Sequence, residues 1–149
     1  MNKILKLVIS IFLVFLSTNI ALSKENFFNK ALKMFKNEKY DEALFLLERN
    51  IVYNPKDADS YLYLAKIYNH EENQRKEEYN LETTLLIEPD NEEALLMMMK
   101  IALKKSNYSK VKDLSNIFVK VCEKLCDENN QILDSLKNIE PKKWVLTKI

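Results

Sequence analysis

The chain has 149 residues, 23 basic and 22 acidic, for a formal net charge of +1; this length fits one domain or a short repeat array. A hydrophobic fraction of 47% is enough to bury a core, and the balanced charge excludes a strongly basic nucleic-acid footprint. The chain contains no glycine and one histidine, which excludes phosphate-cradling glycine loops, the glycine-flanked serine elbow and a histidine-rich metal site.

The first element is an address. Lys3 and Lys6 precede an apolar run from Leu7 to Leu16, broken only by Ser10, and Ala21 and Ser23 place small residues at the two positions a signal peptidase inspects. This is the layout of a secretory signal peptide over residues 1–23, with cleavage before Lys24. The alternative is an uncleaved membrane anchor, although a spanning helix wants about 20 apolar residues and this run stops at Ser17-Thr18-Asn19. No cysteine precedes Cys122, which disfavours a lipid anchor. Cleavage removes two lysines and no acid, leaving 21 basic and 22 acidic residues, so charge alone would not hold the mature chain on an anionic membrane.

From Asn26 onward the pattern is helical. Phe27, Ala31, Met34 and Phe35 share one helical face, as do Tyr61, Leu64, Ala65 and Tyr68. Pro55 and Pro89 are separated by about 34 residues, each after a helix-like run and before acidic or amide residues. Tyr40 and Tyr108 are two such periods apart, and Lys66-Ile67 recurs one period on as Lys100-Ile101. A fixed period of this size marks a solenoid whose units are stable only when stacked.

The period and these residues resemble the tetratricopeptide repeat, a helix–turn–helix unit of about 34 residues. On that resemblance the first unit spans 24–57, the second 58–91, and a degenerate third 92–125, where Glu123 stands in place of the closing proline. Glu77 stands where the second unit should have a small residue, a departure that a local shift of register or a one-residue slide would repair. Residues 126–149 form a capping helix and tail, with Asp127 as N-cap, Ile132, Leu133 and Leu136 as the apolar stripe, and Trp144 either folded back on the cap or offered to a partner. The implied fold is an all-α, right-handed solenoid of about three helix pairs plus that cap.

Cys122 and Cys126 are the only cysteines. An even count in an exported chain hints at a disulfide, but i and i+4 on a continuous helix do not reach disulfide geometry. A bridge therefore requires the helix to end near Glu123; two buried free thiols are the alternative.

The resemblance also implies a concave groove, lined by the first helix of each unit, that binds peptides or proteins. Its positions here are Phe28, Leu32, Phe35 and Lys36, then Leu62, Lys66, Asn69 and His70, then Leu96, Lys100, Leu103 and Lys104. An apolar stripe thus runs beside a basic column of Lys66, Lys100 and Lys104; the alternative is that Phe28 and Leu62 pack inside the solenoid and the lysines are solvated surface. Leu32 occupies an asparagine position of the family's carboxylate clamp, so no clamp is expected. Met97-Met98-Met99 cannot share one face and is read as core filling.

No nucleophile, metal or cofactor constellation is visible, so no catalytic residue, metal site, cofactor, small-molecule substrate or nucleic-acid partner is expected. The expectation is a non-enzymatic, exported (periplasmic or secreted) adaptor or scaffold with a protein or peptide ligand. The alternative is a structural subunit of a homo-oligomer or envelope complex, touching a membrane only if the signal helix is retained.

Overall fold

The computed structural model describes residues 26–139; the signal segment, 1–23, and the tail carrying Trp144 lie outside the described residues. Seven helices follow one another there with no strand: α1 (Phe27–Lys36), α2 (Tyr40–Tyr53), α3 (Ala58–His70), α4 (Gln74–Ile87), α5 (Glu92–Lys104), α6 (Tyr108–Val121) and α7 (Cys126–Ile139). Four of the starts rely on asparagine. Asn26, Asn73, Asn91 and Asn107 each accept, through the side-chain oxygen, the amide N–H three residues on, at 2.9 to 3.3 Å. Each satisfies one of the orphan donors of a helix N-terminus.

Two kinds of turn alternate. Between α1 and α2, α3 and α4, and α5 and α6, the chain passes through Glu38, Glu72 and Ser106, all with φ of 55 to 60°. Successive members of this set are one repeat period apart. In each turn the next amide (Lys39, Asn73, Asn107) donates back to a carbonyl of the last helical turn (Met34, Tyr68, Ala102) at 2.8 to 3.0 Å. This is the left-handed helix stop usually made with glycine. Lacking glycine, the chain accepts about 1–2 kcal/mol of strain at each such turn.

The second kind of turn joins one pair to the next. Pro55 and Pro89 have no N–H to continue a helix, and the preceding Asn54 and Glu88 are extended, at φ −136° and −128°. Across the first of these turns the Asn50 amide donates to Asp57 at 2.8 Å and to Ser60 at 2.9 Å. The third such turn has no proline and is held differently. Cys122 is the C-cap of α6 and Cys126 the first residue of α7, with Cα atoms 5.4 Å apart and a disulfide between them. The Glu92 carboxylate, at the start of α5, accepts the N–H groups of Glu123, Lys124 and Leu125 at 3.0, 3.1 and 2.8 Å. These amides, led by Leu125, hold the Glu92 carboxyl below its ordinary value. Asp127 is therefore not the N-cap: it lies inside the first turn, and the amides before it are satisfied from α5 instead.

The core runs unbroken along the stack. Ala31, Ala65 and Met99 are fully buried where first helices meet their partners, and Leu47 and Leu81 where second helices do. α7 lies against α5 and α6, bringing Ile132 and Leu136 onto Leu95, Leu96, Met99 and Phe118. Asn129 of α7, one period after Leu95 of α5, is buried, and its side-chain oxygen has no hydrogen-bond partner among the described residues. α2, α4 and α6 begin at Tyr40, Gln74 and Tyr108, so the register does not shift at Glu77. Glu77 takes the place of Ala43 and Val111 directly and is 4% exposed. The architecture is an all-α solenoid of helix pairs with a capping helix.

Candidate functional site

α3 and α5 are first helices of neighbouring pairs, and the face between them is a trough. One end is a cleft of about 530 Å³ lined by Lys66 and Asn69 of α3, Glu77 of α4, and Met97, Lys100 and Lys104 of α5, among others. The other end is a shallower hollow of about 330 Å³, with Asp59 and Leu62 of α3 facing Asp90, Asn91, Glu92 and Glu93 around the start of α5, and with Lys124 and Leu125 of the turn before α7 at its edge. The trough is thus basic at the C-terminal ends of its two helices and acidic at their N-terminal ends. Lys66 sits between the two, its Nζ 2.8 Å from Glu93 and 4.3 Å from the centre of the Tyr63 ring.

Glu77 forms part of the cleft wall. Asn69 Nδ2 donates to its Oε1 at 2.8 Å. Burial pushes the Glu77 carboxyl above its ordinary value, against that hydrogen bond and the nearby Lys104 charge. At the acidic end, partial desolvation and then the neighbouring carboxylates of Glu88, Asp57 and Glu93 raise the Asp59 carboxyl, with Lys66 opposing. Of the rim lysines, Lys100 reaches Glu128 of α7 at 3.3 Å, while Lys104 forms no ion pair among the described residues. Behind the cleft Glu78 bridges Lys105 and, at 3.5 Å, Lys110, which ties α4 to the end of α5 and the first turn of α6.

Lys66, Asn69, Lys100 and Lys104 line one cleft. Leu62 and Leu96 lie mostly inside the stack. They are 4% and 2% exposed and belong to the core, Leu62 against Ala94 and Met98, Leu96 among Phe118, Ile132 and Leu136. The next first helix along the stack covers each of them. Phe28 and Phe35 are half-buried in an edge-to-face aromatic group with Tyr63, at 5.8 and 5.0 Å between ring centres, and Leu32 is half-buried on the same helix. His70 lies against Tyr40, with ring centres 4.3 Å apart. Of the three methionines, Met98 and Met99 fill core and Met97 lines the cleft.

Sequence reasoning missed Glu77, Met97 and Ile101 as cleft residues. The signal for Glu77 was its misfit at a small position. Among the described residues no group of three or more metal-ligating side chains converges, and no helix is long and apolar enough to cross a membrane.

No family model and no curated protein matches the chain by sequence. Its fold matches solved structures. One is the Sgt2 TPR domain from Aspergillus fumigatus, with TM-score 0.64 and 10% identity over 76% of this chain and 79% of that one. Another is a chain of the CopN–Scc3 complex, with TM-score 0.62 and 11% identity over 76% of this chain and 71% of that one. At such identity the likeness is one of fold, and the fold is that of a tetratricopeptide solenoid.

Proposed function

We propose that this protein is an exported, non-enzymatic adaptor that holds a segment of another protein in the trough between α3 and α5. The observation that carries this reading is the polarity of the trough, from Asp59, Asp90 and Glu93 at one end to Lys100 and Lys104 at the other. A bound segment lies along it with acidic side chains over the lysines and basic ones over the carboxylates. Charge sets its direction and approach rate, while contact with Met97, Leu103 and the Phe28–Phe35–Tyr63 group supplies most of the affinity. The known complex between CopN and Scc3, built partly on a chain of this fold, supports a role in holding proteins. The signal-peptide layout of residues 1–23 and the Cys122–Cys126 bridge both support an oxidising compartment outside the cytoplasm.

A photo-crosslinker at Lys104, compared with one at the exposed Val119 of α6, tests the reading in the native host. Capture of a distinct protein from position 104 alone, weakened about tenfold by Lys100→Glu, is the expected result. Equal capture from both positions, or none from 104, overturns it. Mass spectrometry of the same preparation should find Lys24 as the first residue and two fewer hydrogens than the dithiol requires.

A further inference from the structure

The groove reading leaves the opposite face of the array unexplained. There, the second helices of the first two pairs expose large apolar side chains in a repeating order. Phe45 is 61% and Val52 79% exposed on α2; Tyr79 is 66% and Leu86 82% exposed on α4. Tyr79 and Leu86 follow Phe45 and Val52 by one repeat period, so the two helices present the same stripe in the same register. One turn before Phe45 stands Asp41, and one turn before Tyr79 stands Arg75, again one period on. Both are exposed and neither forms an ion pair among the described residues.

α2 and α4 each pack against α3, joined to it by short turns, and so run parallel to each other. A two-fold axis parallel to their common direction, lying outside the molecule over the line midway between them, sets α2 of one copy against α4 of the other in matching register. Phe45 then meets Tyr79, Val52 meets Leu86, and Asp41 meets Arg75, each contact occurring twice. Opposite charge at one end of a self-complementary apolar stripe is the pattern of an isologous interface. We propose that the convex face of α2 and α4 binds a second copy of this chain. Glu48 and Glu82, equivalent positions of the two helices on this face, meet as like charges between the apolar contacts. They place the association in the weak, concentration-dependent range rather than among obligate dimers.

Sedimentation equilibrium of the chain as purified from cells, over about 1 μM to 1 mM, reads the association directly. Asp41→Arg and Arg75→Asp, each alone, set like charges opposite one another and should raise the dimer dissociation constant about tenfold. The two together exchange the signs and should restore it to within about threefold. Because these side chains are exposed, circular dichroism should show unchanged helicity in all three variants. The groove variant Lys104→Glu should leave dimerisation unchanged, so failure of this proposal is separable from failure of the groove reading. A monomer at every concentration, or a double variant no tighter than the singles, overturns the proposal. A monomer whose binding to mixed anionic and neutral vesicles is lost with Val52→Ser and Leu86→Ser overturns it too, and assigns the stripe to lipid.

Discussion

Glu77 carries an ionisable group into a position where α2 has Ala43 and α6 has Val111. Its misfit is legible in the spacing, but its fate is not, because burial depends on how closely α3 and α5 stand over α4. The structure keeps the register and satisfies the carboxylate through Asn69. Desolvation still raises its proton affinity, so ionisation costs more in the folded chain than in the unfolded one. The stability tied to Glu77 is present below the ordinary carboxylate value of 4.5 and is lost as pH rises through the higher folded value. Glu77→Gln should therefore raise the melting temperature by a few degrees at pH 7, with the gap closing as pH falls below 4.5. A gap that stays the same in acid would contradict burial of the charged form as its cause. Leu62 and Leu96 teach the complementary lesson: periodicity assigns a side chain to a face, but only the neighbouring helix decides whether that face stays open.

At the level of elements, the helical pattern and its breaks at Pro55 and Pro89 were readable from apolar spacing and proline chemistry, whereas the asparagine caps at 26, 73, 91 and 107 emerged only with the structure. The left-handed turns at Glu38, Glu72 and Ser106 were hidden, because the usual marker, glycine, is missing. They also define a stability experiment. Glu72→Gly should gain about 1 kcal/mol by removing the Cβ penalty, as should Ser106→Gly. The sites lie in separate turns, so the gains should add in urea unfolding, with a higher midpoint and an unchanged slope. Destabilisation by both changes would mean that the backbone entropy of glycine outweighs the relief. The turn before α7 was misjudged for a different reason. Its amides are capped by Glu92, nearly a full repeat back, and no local window contains both partners.

At the scale of the whole molecule, each pair among the described residues packs chiefly on its neighbours, and α7 covers the last of them. Ile132 and Leu136 cover the last pair. Ile132→Ala or Leu136→Ala should each cost about 2–5 kcal/mol. The loss should be uneven. In amide hydrogen exchange α5 and α6 should lose protection first, while α1 and α2 keep theirs. A uniform loss along the chain would show that the row unfolds as one unit. The trough and the convex stripe belong to this scale as well, since each is assembled from two helices of different pairs.

What the chain determines by itself is the helix type and the repeat period, which follow from prolines and apolar spacing, both local properties. Tertiary structure alone decided the chemistry of the surfaces. Lys66 is bound by Glu93 and Lys100 by Glu128, about a repeat further on, so the basic column is only partly available. Such pairings depend on the distance between stacked helices, and that distance is set by the packing of side chains that are far apart in sequence.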